Sequence, residues 1–358
     1  MNITFLIGNG FDRNLGLNTT YSDFIGVYKN SEAKTDTLRK FRFDINENEQ
    51  LWSSAELAFG QYTGKFGEGE AELFAECQAD FCENLARFLK EQELRINYTS
   101  AKDAIIKAFS RLNNFISVFP SQENAALNTV YKNRASEGIV FNFICYNYTQ
   151  TLDKCISVLK QKSATIGSHN HGTLKLNHTI GQICHVHGTV DKEMVFGVND
   201  ETQVLNPGMF NCENGDLYKN LLIKKKANAS YMENTDEKAA HLLEGSSIIY
   251  IYGMSIGDTD NLWWNRIGVW LAANTAHHLI LQKYEMPKKG TFPIQYQLYE
   301  REQRRQFLNH SQLDEEKRRG IENRIHITGE NIFKDIHNIA DSFAEKTPEE
   351  PKRVAIEA

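Results

Sequence analysis

Four short polar stretches hold the residues best suited to chemistry. Gly8-Asn9-Gly10-Phe11-Asp12 follows an apolar run, and glycines there would let backbone amides come close to a phosphate. Arg13 stands where the third glycine of G-x-G-x-x-G would be, so the segment equally suits a strand-to-helix turn with no ligand. In Asn147-Tyr148-Thr149, with Asp153 a helical turn later, the amide could orient a water or a sugar hydroxyl. The competing reading is a helix cap by Asn147 or Thr149. On a strand, His185 and His187 of His185-Val186-His187-Gly188 point to one side, as a metal-binding pair or a general base would need. A metal would want a third ligand, which neither Cys184 nor a carboxylate at a recognisable spacing supplies, so no metal is expected. Backbone-held histidines are the plain alternative. In Gly253-Met254-Ser255-Ile256-Gly257-Asp258-Thr259-Asp260, small residues and then carboxylates suit a ribose diol. Asp258 or Asp260 could instead open the helix that contains Trp263 and Trp264.

The elements that must position these loops follow from apolar patterning. Asn2 to Ile7, Ile139 to Ile144, Ile183 to Val186, Ser247 to Tyr252, Leu279 to Leu281 and Ile325 to Ile327 are apolar runs of strand length. The first four each run into one of the polar loops. Between Ser31 and Ser121 apolar residues recur at helical spacing, as in Leu73, Phe74, Cys77, Phe81, Leu85 and Phe88. Thr151 to Leu159 repeats that spacing, and Tyr299 to Arg319 reads as one charged helix. Strand, polar loop, helix, strand predicts an α/β fold, a Rossmann-like doubly wound parallel sheet, with ligands at the carboxyl ends of its strands. The predicted division is a core of residues 1–30 and 136–345, a helical insertion at 31–135 and a loose tail at 346–358. Residues 201–236 show no clear period apart from Leu217, Leu221, Leu222 and Ile223.

Composition narrows the class. A chain of 358 residues, 41% hydrophobic, can bury a large core. Its net charge of −6 lacks the basic excess of a duplex-DNA or membrane-surface binder. Lys224-Lys225-Lys226 reads as a solvated face rather than a phosphate clamp. The six cysteines are scattered with no C-x-x-C pair, as reduced core thiols are. Ile3 to Ile7 is too short for a signal-peptide core and no run approaches a membrane span, so a cytoplasmic protein is expected.

The loops GNGFD, NYT, HVHG and YGMSIGDTD, in that order, resemble the abortive-infection AbiH family, a phage-defence group with a sirtuin-like fold. Leu15-Gly16-Leu17, Thr20-Tyr21-Ser22-Asp23-Phe24 and a W-x-x-x-E element at Trp52 and Glu56 add to that resemblance. It implies NAD as substrate or ligand. Gly8, Gly10 and Asp12 would hold it at the glycine turn, and Gly253 and Ser255 on the adenosine side; Asn9 and Asp258, in the same two loops, are expected to bind it as well. Asn147 and His187 would flank the nicotinamide ribose as the catalytic pair. The paired C-x-x-C zinc element of deacetylating sirtuins is missing, so peptide deacetylation is not implied. The expected function is hydrolysis of the nicotinamide–ribose bond, depleting NAD in an infected cell, by a homo-oligomer answering a phage trigger or protein partner. The rivals are a non-catalytic nucleotide or ADP-ribose sensor and a metal hydrolase or nuclease built on His185 and His187.

Overall fold

The computed structural model describes residues 1–230, 234–288 and 293–342. The tail expected from residue 346 lies outside them. The chain is an α/β protein around one seven-stranded sheet. Its strands are β1 (Asn2–Ile7), β2 (Ile139–Cys145), β3 (Thr165–His171), β4 (Leu174–His185), β5 (Ile248–Tyr252), β6 (His278–Gln282) and β7 (Ile325–Thr328). They lie in the order β3-β4-β2-β1-β5-β6-β7. Every neighbouring pair is parallel except β3 with β4. Without the antiparallel edge strand, the order is third, second, first, fourth, fifth, sixth, that of the dinucleotide-binding doubly wound sheet. The winding reverses beside β1, between β2 and β5.

The helices in chain order are α1 (Gly10–Asn14), α2 (Tyr21–Tyr28), α3 (Asp36–Glu47), α4 (Glu49–Trp52), α5 (Ala55–Tyr62), α6 (Ala71–Glu93), α7 (Lys102–Ser110) and α8 (Ser121–Asn133). After β2 come α9 (Thr151–Lys162), α10 (Gly215–Leu222), α11 (Lys224–Ser230), α12 (Thr235–Glu244), α13 (Asn261–Ala273), α14 (Ile294–His310), α15 (Glu315–Ile321) and α16 (Ile339–Ser342). Among the described residues no helix is long and apolar enough to cross a membrane.

The strands β1, β2, β5, β6 and β7 are mostly apolar because both faces are covered. Phe5, Phe143 and Tyr250 stand side by side on β1, β2 and β5 and meet Phe109 and Phe115 on one face. Leu6, Ile144, Ile251 and Leu281 meet Trp264, Ile267 and Phe307 on the other. The helices between residues 36 and 133 serve two cores. Leu38, Phe41, Trp52, Phe59, Phe74 and Phe81 of α3 to α6 form a separate aromatic cluster with Phe24, Tyr28 and Phe196. The apolar residues of α7 and α8 pack on the sheet itself.

Three local readings of the sequence change. The hairpin of β3 and the first half of β4 was not expected, because its residues are mostly polar; only Gly172, at φ +61, and the alternation of Leu174, Leu176, His178 and Ile180 mark it. The charged stretch 299–319 is two helices. Gln312 adopts a left-handed φ of 55 between them, and the Asp314 side chain accepts the Lys317 amide to start α15. The undecided stretch 201–236 holds two short 3₁₀ turns, α10, α11 and the start of α12.

Candidate functional site

A cavity of about 230 Å³ opens at the carboxyl ends of β1, β2, β4 and β5, beside the reversal of winding. Of the residues singled out in the sequence, Gly8, Asn9, Asp12, Asn147, His187, Gly253 and Ser255 line it. Gly10 and Asp258 do not.

The glycines act first on each other. The Gly8 amide donates to the Tyr252 carbonyl at 3.0 Å and the Gly10 amide to that of Gly253 at 2.8 Å. A Cβ on Gly10 would stand 2.4 Å from Gly253 Cα, and Gly253 holds a left-handed φ of 66. The motif therefore locks the β1 and β5 loops together, and these two amides are spent on that lock rather than offered to an anion. Asn9 is similarly engaged, donating through Nδ2 to the Thr19 carbonyl at 3.0 Å and accepting from the Thr19 hydroxyl.

Asp12 forms part of the lining, nearly inaccessible to solvent, and accepts hydrogen bonds from the Thr149 hydroxyl at 2.6 Å and from the Thr151 hydroxyl. Burial pushes its pKa up to about 6; the two hydroxyls oppose that rise and the charge of Glu93 adds to it. Thr149 is thus a partner of Asp12. The residue that caps α9 is Gln150, without a side-chain bond, so neither Asn147 nor Thr149 is the helix cap the sequence allowed.

The two histidines diverge. His185 Nε2 lies 2.8 Å from Asp153 Oδ2 and Nδ1 lies 3.2 Å from the Asn147 carbonyl. Both partners only accept, so a ring making both bonds carries two protons. Burial opposes that charge, but Cys145 and Asp153 outweigh it and hold the pKa well above the usual histidine range. His185 is a brace for the Asn147 backbone. His187 instead lines the cavity, with Nε2 3.6 Å from Asp260 Oδ1 and Nδ1 buried without a hydrogen-bond partner. Asn147 Nδ2 is likewise buried and makes no hydrogen bond of ordinary length, although its closeness to the Asp12 carboxyl helps to hold that pKa down. Buried polar atoms left unmade cost about 1–3 kcal/mol each, so these two favour a ligand or water that satisfies them.

Asp258, expected to face a ribose, points outward with its side chain 70% exposed and pairs with His310 at 3.5 Å. The carboxylate that reaches the cavity is Asp260. The largest revision concerns the lysine run. Lys225 and Lys226 are not buried, but Lys224 is only 5% exposed and lines the cavity. Its Nζ is 2.6 Å from Glu56 Oε2 and 4.0 Å from Asp260 Oδ1. Burial opposes its charge, and the two carboxylates more than restore it, so its pKa lies above the ordinary lysine value. Glu56 Oε1 accepts from the Tyr21 hydroxyl at 3.1 Å and the Tyr148 hydroxyl at 3.0 Å. Glu56 and Tyr21 sit in the W-x-x-x-E and T-Y-S-D-F motifs, a signal that could have placed them here. Lys224 left none. Among the described residues no group of three or more His, Cys, Asp or Glu side chains is placed to hold a metal ion.

A mostly parallel sheet whose polar loops converge on a cavity at its carboxyl edge, beside the reversal of winding, defines a doubly wound α/β protein with a cavity where such sheets collect their ligands. The family model described as bacteriophage abortive infection AbiH matches residues 4–281, a span that contains every residue lining the cavity, and the chain belongs to that family. Membership points to defence against bacteriophage by abortive infection. No match was found among the curated proteins.

Proposed function

We propose that this protein binds NAD with its nicotinamide ribose in the cavity and hydrolyses the bond between them, lowering NAD in an infected cell. The observation that carries this reading is the charge of the lining. The carboxyl groups of Asp12, Glu56 and Asp260 line the cavity together with one ammonium group, that of Lys224. Such a site favours the cationic ring of oxidised NAD and the positive charge that develops on the ribose as the bond breaks. It disfavours a pyrophosphate, which belongs outside the mouth, and at about 230 Å³ the cavity suits one end of a dinucleotide rather than the whole. The likeness of the four loops to the sirtuin-like arrangement supports the same ligand.

In this mechanism the C1′–N bond breaks with its electron pair passing to the nicotinamide nitrogen, so the ring leaves neutral and needs no acid. Water then attacks C1′. Asn147 orients the water or a ribose hydroxyl through its buried amide. With Asp260 facing Nε2, His187 keeps its proton on that side and accepts the water's proton at Nδ1. The test is nicotinamide release from NAD by the purified protein, alone and with extract of phage-infected cells. His187→Ala is expected to keep NAD affinity and to lose turnover by roughly 10²- to 10⁴-fold. No release by the wild type in either condition, with NAD binding intact, would replace the enzyme by a sensor.

A further inference from the structure

Each of the two histidines of the third loop faces an aspartate, and the difference between the pairs is instructive. At His185 the carboxylate of Asp153 is 2.8 Å away, and the ring is a charged brace. At His187 the carboxylate of Asp260 stands off at 3.6 Å, and the oxygen that faces the ring, Oδ1, also faces Lys224 Nζ at 4.0 Å. One carboxylate oxygen is divided between two nitrogen groups.

Lys224 is itself fixed. Its other contact is Glu56, whose second oxygen takes the hydroxyls of Tyr21 and Tyr148, so the ammonium group is held by partners from α2, α5 and the loop after β2. The backbone ties the same group of residues together. The Tyr148 hydroxyl lies 3.1 Å from the Val195 carbonyl, and the Val195 amide donates to the His187 carbonyl at 2.8 Å. A buried ion pair is a poor source of stability, since apolar replacements of similar volume often do as well or better. Its chemical effect is a different matter.

We propose that Lys224, anchored by Glu56, is a positioning residue that holds Asp260 off His187 and so leaves the His187 ring free to accept a proton. The inference rests on the reading of His187 as the base. Without the lysine, Asp260 would close on His187 as Asp153 closes on His185, and the ring would stay protonated. The other groups facing His187 do not supply that control. The rings of Tyr146 and Tyr148 lie 5.5 and 6.3 Å away, centroid to centroid, and burial keeps both phenols protonated. Asp200, Asp236 and Lys225 line a second cavity on the far side of the wall made by His187, Lys224 and Asp260.

Lys224→Met alone would strand Glu56, so the informative variant is Lys224→Met with Glu56→Gln, in which neither charge is left buried. Two readouts are taken on protein shown to be folded by its thermal midpoint. The first is the ¹⁵N spectrum of histidine-labelled protein at pH 7.5, with the His187 signals assigned by their loss in His187→Ala. The second is nicotinamide release as a function of pH. The expected wild-type ring carries one proton, on Nε2. In the double variant it carries two, and the acid limb of kcat moves upward by about one pH unit or more. Lys224→Arg keeps the ring with one proton, and adding Asp260→Asn to the double variant returns the ring to one proton. A folded double variant whose His187 spectrum matches wild type overturns the proposal. That spectrum decides even if the wild type releases no nicotinamide, so failure of the positioning role and failure of the enzyme reading are told apart.

Discussion

A buried carboxyl group with no cation bonded to it makes the protein sensitive to pH in an unusual direction. Asp12 has its pKa raised to about 6 by burial, from an ordinary value near 3.8. The folded chain therefore holds this proton more tightly than the unfolded chain. Stability contributed by Asp12 is full below about pH 4 and is lost as pH rises through 6, by roughly 2–3 kcal/mol. Asp12→Asn should abolish that component. The stability difference between pH 4.5 and 7.5, measured by urea unfolding, should shrink by about 2 kcal/mol relative to wild type, and an unchanged difference would show that Asp12 ionises freely. Gly10 makes a different demand. Gly10→Ala places a methyl group against the Gly253 backbone and should cost about 1–3 kcal/mol in the same measurement, whereas Gly257→Ala, with nothing within 4 Å of the new methyl, should stay within about 0.5 kcal/mol. The glycine turn was legible because glycines directly after an apolar strand have few other uses. That its amides serve the β5 loop was not, since Gly253 lies far along the chain. Lys224 was hidden for the same reason: its immediate neighbours are solvated lysines, and the partner that buries it is 168 residues away.

Strands covered on both faces announce themselves, and the parallel strands of the sheet were read as apolar runs for that reason. An edge hairpin does not. In β3 and β4 the packing is replaced by a polar chain, in which His169 donates through Nε2 to the Ala135 carbonyl, His169 Nδ1 meets His178 Nε2 at 2.8 Å, and His178 Nδ1 meets Asn113 Oδ1 at 2.6 Å. Burial, and then the charge of His169, hold the His178 pKa below its usual value. A depressed histidine contributes stability that is full above about pH 6.5 and is lost as pH falls through the lower folded value. Amide exchange in Thr165–His171, corrected for intrinsic rates and compared with Ile139–Cys145, should therefore accelerate at pH 5 relative to pH 7.5. His178→Gln should remove that difference, and equal protection at both pH values would show that the histidine pair does not anchor the hairpin.

At the scale of the molecule, the aromatic helical body and the sheet meet across the cavity, where Glu56, Leu85 and Leu89 face the strand loops. Helical spacing in the sequence located α6 correctly, yet Leu73 is exposed while Leu89 is buried, because the facing wall sets the angle of the buried stripe. Phe81 is the hub of this body, its ring within 6.4 Å of those of Phe24, Tyr28, Phe41, Trp52, Phe59 and Phe196. Phe81→Ala should cost about 3–5 kcal/mol and, on the proposed function, weaken NAD binding in parallel, read by denaturant midpoint and calorimetry. A loss of stability without loss of affinity would separate the helical body from the site.

The position of β1 also decides when the protein can first act. This strand is made first, yet one of its two neighbours is β5, and the cavity needs Asp260 beyond that. At ordinary rates of synthesis roughly 10 to 50 s pass between the two strands. A chain not yet made as far as residue 253 lacks Gly253, Met254, Ser255 and Asp260 from the wall around its own pocket. If the pocket destroys a metabolite the whole cell depends on, every copy at that stage is harmless to its host, and so is any fragment that ends before the fourth loop.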